Sequence, residues 1–199
     1  MRADANHAAI LGAASYSDLR ARLGSFDCRR CGLAAGRTRL VVDRGNPGAK
    51  ILLVGEGPGA EEDRQGQAFV GRSGKLLDSM LLEAGIDPAK DVLIANVVKC
   101  RPPGNRPPKA DEVESCLPYL LRQIALVAPK CLGLLGATAA KHLLVDRELG
   151  RLSDHVGKRL DDGAFPGVGI FILFHPAFIL RNPRRRSEMV EHLRGLRGA

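Results

Sequence analysis

Two hydrophobic rhythms alternate along the chain. Compact apolar runs, "KILLVG" (50–55), "DVLIANVVK" (91–99), "KCLGLLG" (130–136) and "VGIFILFHPAFIL" (168–180), read as buried strands, the last ending in a turn at His175-Pro176. Between them lie segments at helical spacing. "SYSDLRARLG" (15–24) has Ser15 or Ser17 to cap its start and Gly24 to end it. "GRSGKLLDSMLLEAG" (71–85) puts Leu76, Leu77, Met80, Leu81 and Ala84 on one face, with Gly85 as its stop. "KADEVESCLPYLLRQIALVA" (109–128) opens with acids, which suit the positive end of a helix dipole. "ATAAKHLLV" (137–145) and the arginine-rich "RRRSEMVEHLRGLR" (184–197) complete the helices. This alternation predicts one α/β domain over residues 1–199, with 1–14 as a loosely ordered extension. Its core is a central, mostly parallel four-stranded sheet with helices on both faces.

Three interruptions of the pattern fall at one edge of that sheet. The loop "GEGPG" (55–59) begins at the carboxyl end of the first strand, Asn96 lies at or near that of the second, and His175 follows the last. Ligands of open parallel sheets bind at those ends. The loop is not a dinucleotide fingerprint, because Ala60 stands where the third glycine belongs. "GRSGK" (71–75) is not a triphosphate loop, since Phe69 replaces its first glycine and Leu76 its hydroxyl residue.

Composition narrows the partners. A chain of 199 residues, 45% hydrophobic, supports one substantial core. No apolar run approaches the ~20 residues that span a bilayer, so no membrane partner is expected. "HAAILGAAS" is short and has Asp4 in its flank, which argues against an export signal and for a cytoplasmic protein. A net charge of +8 favours an anionic partner, nucleic acid above all. Arginines 181, 184, 185, 186, 194 and 197 crowd the chain end, and Lys99, Arg101, Arg106 and Lys109 surround a proline-rich loop.

The chain has five cysteines, an odd set that points to ligation rather than a disulfide framework. Cys28 and Cys31 form a C-x2-C pair, and Cys100 and Cys116 lie further along; Cys131 opens an apolar strand and reads as core. The spacing lacks the second C-x2-C knuckle of a zinc ribbon. A four-thiolate iron–sulfur cluster fits it better, with zinc or unligated thiols as the alternatives.

Several motifs together resemble one family. "GEGPGAEEDRQGQAFVGRSGKLL", "NVVKCRPPGNRPP", "HPAFILRNP" and the cysteines at 28, 31, 100 and 116 are similar, in the same order, to the iron–sulfur uracil-DNA glycosylases of family 4. The similarity spans roughly residues 20–197. It implies a [4Fe-4S] cluster on Cys28, Cys31, Cys100 and Cys116, near the N-terminal loop, and hydrolysis of the N-glycosidic bond of uracil in DNA. By the same resemblance Glu56 and Gly57, with Gly55, Pro58 and Gly59, contact the base and the attacking water. Phe69 stacks on uracil, Asn96 reads its edge and His175 faces its carbonyl. Some relatives place an aspartate at the position of Gly57, which leaves Glu56, Glu62 and Asp63 as candidates for handling the water. The loop "CRPPGNRPP" lacks the histidine of the covalent-trapping relatives.

The chemistry asks for these residue types. A base inside duplex DNA must swing out to be reached, while its phosphates are gripped. Arg181, Arg184, Arg185 and Arg186 suit the grip, and Ile179 or Leu180 could fill the vacated stack or belong to the core. One amide supplies both the acceptor for uracil N3–H and the donor for O4, and a neutral histidine can donate to the departing ring. Each has a plainer alternative: Phe69 as a core anchor, Asn96 as a loop tie, His175 as a strand cap. No lysine stands where a Schiff base would form, so hydrolysis without strand cleavage is expected, by a monomer on uracil-containing DNA of the nucleoid. A non-catalytic DNA-binding relative and an iron–sulfur electron carrier are the rival readings.

Overall fold

The computed structural model describes residues 2–144 and 150–198. Strands β1 (Arg44–Gly45), β2 (Ile51–Gly55), β3 (Val92–Asn96), β4 (Cys131–Leu135), β5 (Arg159–Leu160) and β6 (Gly169–Leu173) form one sheet in the order β1-β3-β2-β4-β6-β5. The four inner strands are the four apolar runs, mutually parallel and buried at every position, as strands covered on both faces must be. The sheet has six strands rather than four. β1 pairs antiparallel with β3, and β5 with β6. Each of these pairings is two residues long, too short to leave a periodic signal.

The helices are α1 (Arg2–Leu11), α2 (Tyr16–Ser25), α3 (Ala60–Gln65), α4 (Arg72–Glu83), α5 (Ala110–Val127), α6 (Ala137–Leu143), α7 (Pro176–Arg181) and α8 (Arg186–Gly195). Ser15 caps α2 by accepting from the Asp18 amide at 3.2 Å, and α2 runs through Gly24 to Ser25. Val145, the last residue expected in the sixth helix, lies outside the described residues. Two cores result. One face of the sheet packs Leu52, Val54, Leu93 and Leu132 against α2 and α5 through Leu19, Leu23, Tyr119 and Leu120. The other packs Leu53, Ile94 and Leu173 against α4 and α8 through Leu77, Leu81, Met189 and Leu193. Ile10 and Ala13 are buried in the first core, so the N-terminal stretch is tied into the domain. Among the described residues no helix is long and apolar enough to cross a membrane.

Candidate active site at the carboxyl edge of the sheet

The parallel register brings Gly55, the last residue of β2, opposite Asn96, the last of β3. Phe69 closes over both. A Cβ at Gly55 would stand 2.5 Å from Cζ of Phe69 and 2.6 Å from Oδ1 of Asn96, so only glycine lets the three meet. Phe69 itself adopts φ +54, an uncommon conformation for a bulky residue, and its carbonyl sits where Gly74 would carry a side chain. Arg44 helps hold this bend by donating to the neighbouring Ala68 carbonyl at 2.9 Å. Asn96 is 1% exposed, yet neither Oδ1 nor Nδ2 has a partner. A buried amide with both ends unpaired costs about 1–3 kcal/mol, a cost that a hydrogen-bonding ligand would remove.

His175 faces the same place from β6. Its ring lies 5.9 Å from that of Phe69, tilted by 41°. Pro176 opens α7, and the Ala177 amide donates to Nδ1 of His175 at 3.1 Å. With Nδ1 accepting, a neutral ring carries its proton on Nε2. Burial holds the His175 pKa below its ordinary value; Glu56 opposes this shift and Arg181 reinforces it. Glu56 follows Gly55 directly, and its Oε2 accepts from the Thr138 hydroxyl at the start of α6. Thus Gly55, Glu56, Phe69, Asn96 and His175 come together, and Thr138 joins them. Sequence reasoning missed Thr138 because "ATAAKHLLV" reads only as an apolar helix. The available clue was its place just past the carboxyl end of β4.

The remaining acids face elsewhere. The acidic run after the glycine loop is the first turn of α3. Glu62 accepts from the Gly59 amide at 3.1 Å and, with its other oxygen, from the Gly71 amide at 2.8 Å. It therefore pins the glycine loop to the start of α4. Asp63 is buried and accepts from the Thr38 amide at 2.9 Å and the Arg39 amide at 3.4 Å. Of the rest of the loop, Pro58 is buried and Gly57 lies against Val98 and Pro102.

The arginine-rich segment after His175 divides in two. Arg181 and Arg184 are exposed and make no hydrogen bond or ion pair among the described residues. Arg185 pairs with Glu188 at 2.6 Å and lies over the Phe174 ring, 5.8 Å from its centroid. Arg186 reaches Ser79 at 2.7 Å and Glu83 at 2.8 Å, fastening α8 to α4. Leu180 is 37% exposed, whereas Ile179 is core at 2%. In the proline-rich loop Arg106 pairs with Glu112 at 2.6 Å. Lys99, grouped by sequence with these surface cations, is buried.

Cys28, Cys31, Cys100 and Cys116 line one cavity together with Leu33, Leu40 and Tyr119. Among the described residues no three His, Cys, Asp or Glu side chains are arranged to hold a single metal ion. The thiols surround a space instead of meeting at a point. Such a donor set fits a group with several metal atoms, one thiolate to each. Burial pushes the Cys100 thiol up to about 11 and the Cys116 thiol to about 12, so both are protonated unless a metal takes the proton's place. Donors to sulfur are in place: Arg37 approaches Cys100 Sγ at 3.6 Å, and the Lys99 amide donates to Cys116 Sγ at 3.2 Å.

An unpaired amide, an aromatic face and an imidazole thus meet at the carboxyl edge of an α/β sheet, where open parallel sheets take their ligands. Residues 42–196 match the uracil DNA glycosylase superfamily, and the chain belongs to that superfamily. It is 42% identical over 171 residues to the type-4 uracil-DNA glycosylase of Pyrobaculum aerophilum, covering 84% of this chain and 86% of that protein. Identity to the Thermotoga maritima type-4 enzyme is 44% over 155 residues, covering 78% and 79% of the two chains. For that of Archaeoglobus fulgidus it is 42% over 166 residues, covering 82% and 83%.

Proposed function

We propose that this protein is a monofunctional uracil-DNA glycosylase that removes uracil from DNA and leaves an abasic site, as the first step of base excision repair. The observation that carries the reading is the Asn96 amide, 1% exposed and unpaired at both ends, set against the Phe69 ring. An extruded uracil satisfies it: N3–H donates to Oδ1 and Nδ2 donates to O4, while Phe69 stacks on the ring. Cytosine presents the opposite pattern at both positions. The 5-methyl group of thymine has to find room beside Phe69.

In the reaction, the oxygen of a water bonds to C1′ as the C1′–N1 bond breaks, and the bond's electron pair leaves with uracil. Nε2–H of His175 donates to a uracil carbonyl oxygen as charge builds there. Glu56, steadied by Thr138, orients the water and takes its proton. Glu62 holds the loop from which Glu56 projects, and so acts through it, while Asp63 ties α3 to the backbone at Thr38 and Arg39. Arg181 and Arg184 hold phosphates, and Leu180 fills the vacated stack. Cys28, Cys31, Cys100 and Cys116 would hold a [4Fe-4S] cluster, which would fasten the N-terminal loop to the segment after β3 and to α5. The protein works as a monomer on chromosomal DNA in the cytoplasm.

Purified, iron-loaded protein incubated with a single-uracil oligonucleotide should leave one alkali-labile site and free uracil, and none on the matched thymine strand. Absence of cleavage with the iron content intact removes the enzymatic reading.

A further inference from the structure

Lys99 touches both functional regions of the molecule. Its side chain is buried, 1% exposed, and the ammonium donates to the main-chain carbonyl of Asn96 at 2.8 Å and to Oε1 of Gln123. Neither acceptor carries charge. Asp43 is nearby, but its carboxylate accepts from Tyr16 Oη at 2.7 Å and from Arg20 Nε at 2.9 Å. A buried ammonium is kept only where acceptors are close, and the Asn96 carbonyl and Gln123 Oε1 supply them. The same residue's main-chain N–H donates to Cys116 Sγ at 3.2 Å. Asn96 makes no side-chain hydrogen bond of its own, so its orientation rests on packing and on its main chain.

We propose that Lys99 is a positioning residue that links the cysteine-lined cavity to the base-reading amide. Its amide group is fixed by Cys116, and its ammonium clamps the carbonyl of Asn96. The chain continues through Gln123, whose Nε2 donates to Tyr16 Oη at 2.9 Å, so the clamp is anchored across the first core. Cys116 lies on α5 and accepts from the Lys99 main-chain N–H, so a shift at Cys116 moves the main chain that carries the clamp. The cysteine site thus sets how sharply Asn96 discriminates uracil, beyond holding the chain together.

The inference rests on Asn96 as the uracil-reading group, and its test separates the two. Binding is measured to a strand carrying a non-hydrolysable uracil nucleotide and to the same strand without uracil, with iron content and visible absorbance followed in parallel. Lys99→Met, and Lys99→Met with Gln123→Leu so that the glutamine is not stranded, should weaken uracil-specific binding by about tenfold or more. Uracil-free DNA affinity should stay unchanged. Cys116→Ser should weaken uracil-specific binding in the native background, and by at least about twofold less in the paired Lys99/Gln123 background. Undiminished discrimination in the Lys99 variants, or fully additive Cys116 and Lys99 losses, overturns the linkage while leaving the glycosylase reading intact. Native protein that does not prefer uracil removes the reading of Asn96 itself.

Discussion

Gly55 lies so close to Phe69 that a methyl group on its Cα would stand 2.5 Å from Cζ of the ring. Asn96 closes the other side at 2.6 Å, so a side chain here has to push one of the two aside. Gly55→Ala is therefore expected to displace the aromatic face or the amide. Overpacking of this kind costs ~1–3 kcal/mol of stability. The loss in kcat/KM on uracil-containing strands should exceed that cost, as measured by thermal melting beside steady-state assays.

Asn96→Ala separates stability from function. It discards a buried amide whose two ends are unpaired. The melting temperature should stay level or rise, while discrimination between uracil and cytosine falls by the ~1–3 kcal/mol that a bidentate pair supplies. A marked drop in melting temperature would mean that the amide is a structural tie.

Thr138→Val removes the hydroxyl that donates to Glu56 while keeping the shape of the side chain. A hydrogen bond to a charged group contributes about 1.5–3 kcal/mol, so kcat should fall roughly ten- to hundredfold with KM little changed. Thr138→Ser should restore it. Glu62→Ala, by contrast, frees the Gly59 and Gly71 amides and should lower the melting temperature as well as the rate.

For His175, the pKa held down by burial fixes the direction of the pH response. The imidazole stays neutral somewhat below its ordinary 6.5, so the rate should hold through neutrality and fall only on further acidification. In the unfolded chain the ring protonates near 6.5, before the folded protein does. Stability tied to this residue is thus complete above that value and declines as pH drops below it. His175→Ala should abolish this contribution and cost ~3–4 kcal/mol in the barrier, as other donors to a developing anion do. Rate profiles and melting curves across pH measure both.

The arginines should divide as their contacts do. Arg184→Ala is expected to weaken DNA binding about equally for all sequences and to lower the salt slope by about 1. Arg186→Ala breaks the bonds to Ser79 and Glu83, and should reduce stability more than DNA affinity. Salt titrations and melting curves on the two variants distinguish the roles.

Much of this molecule was legible in its sequence because the parallel strands are buried on both faces and read as plain apolar runs. Polar residues at their carboxyl ends then stood out: Asn96 and His175 could be placed at one edge before any coordinate was known. The signal failed where tertiary context decides. β1 and β5 exist only through pairing with a neighbour. Glu62 and Asp63 stood beside Glu56 as candidates for handling the water, yet they lie in the first turn of α3, and only the fold shows that Glu62 bridges Gly59 and Gly71. Lys99 looked like one more surface cation because composition carries no information on depth.

The margins of the sheet have a consequence for behaviour at high concentration. The four long strands are strongly self-associating material, and a bare ladder of their length would recruit other molecules. Each flank instead ends in a two-residue strand bearing an arginine, Arg44 on one side and Arg159 on the other. So brief a border presents few free backbone groups to a strand of another molecule, and edge-to-edge pairing has little to build on at either margin.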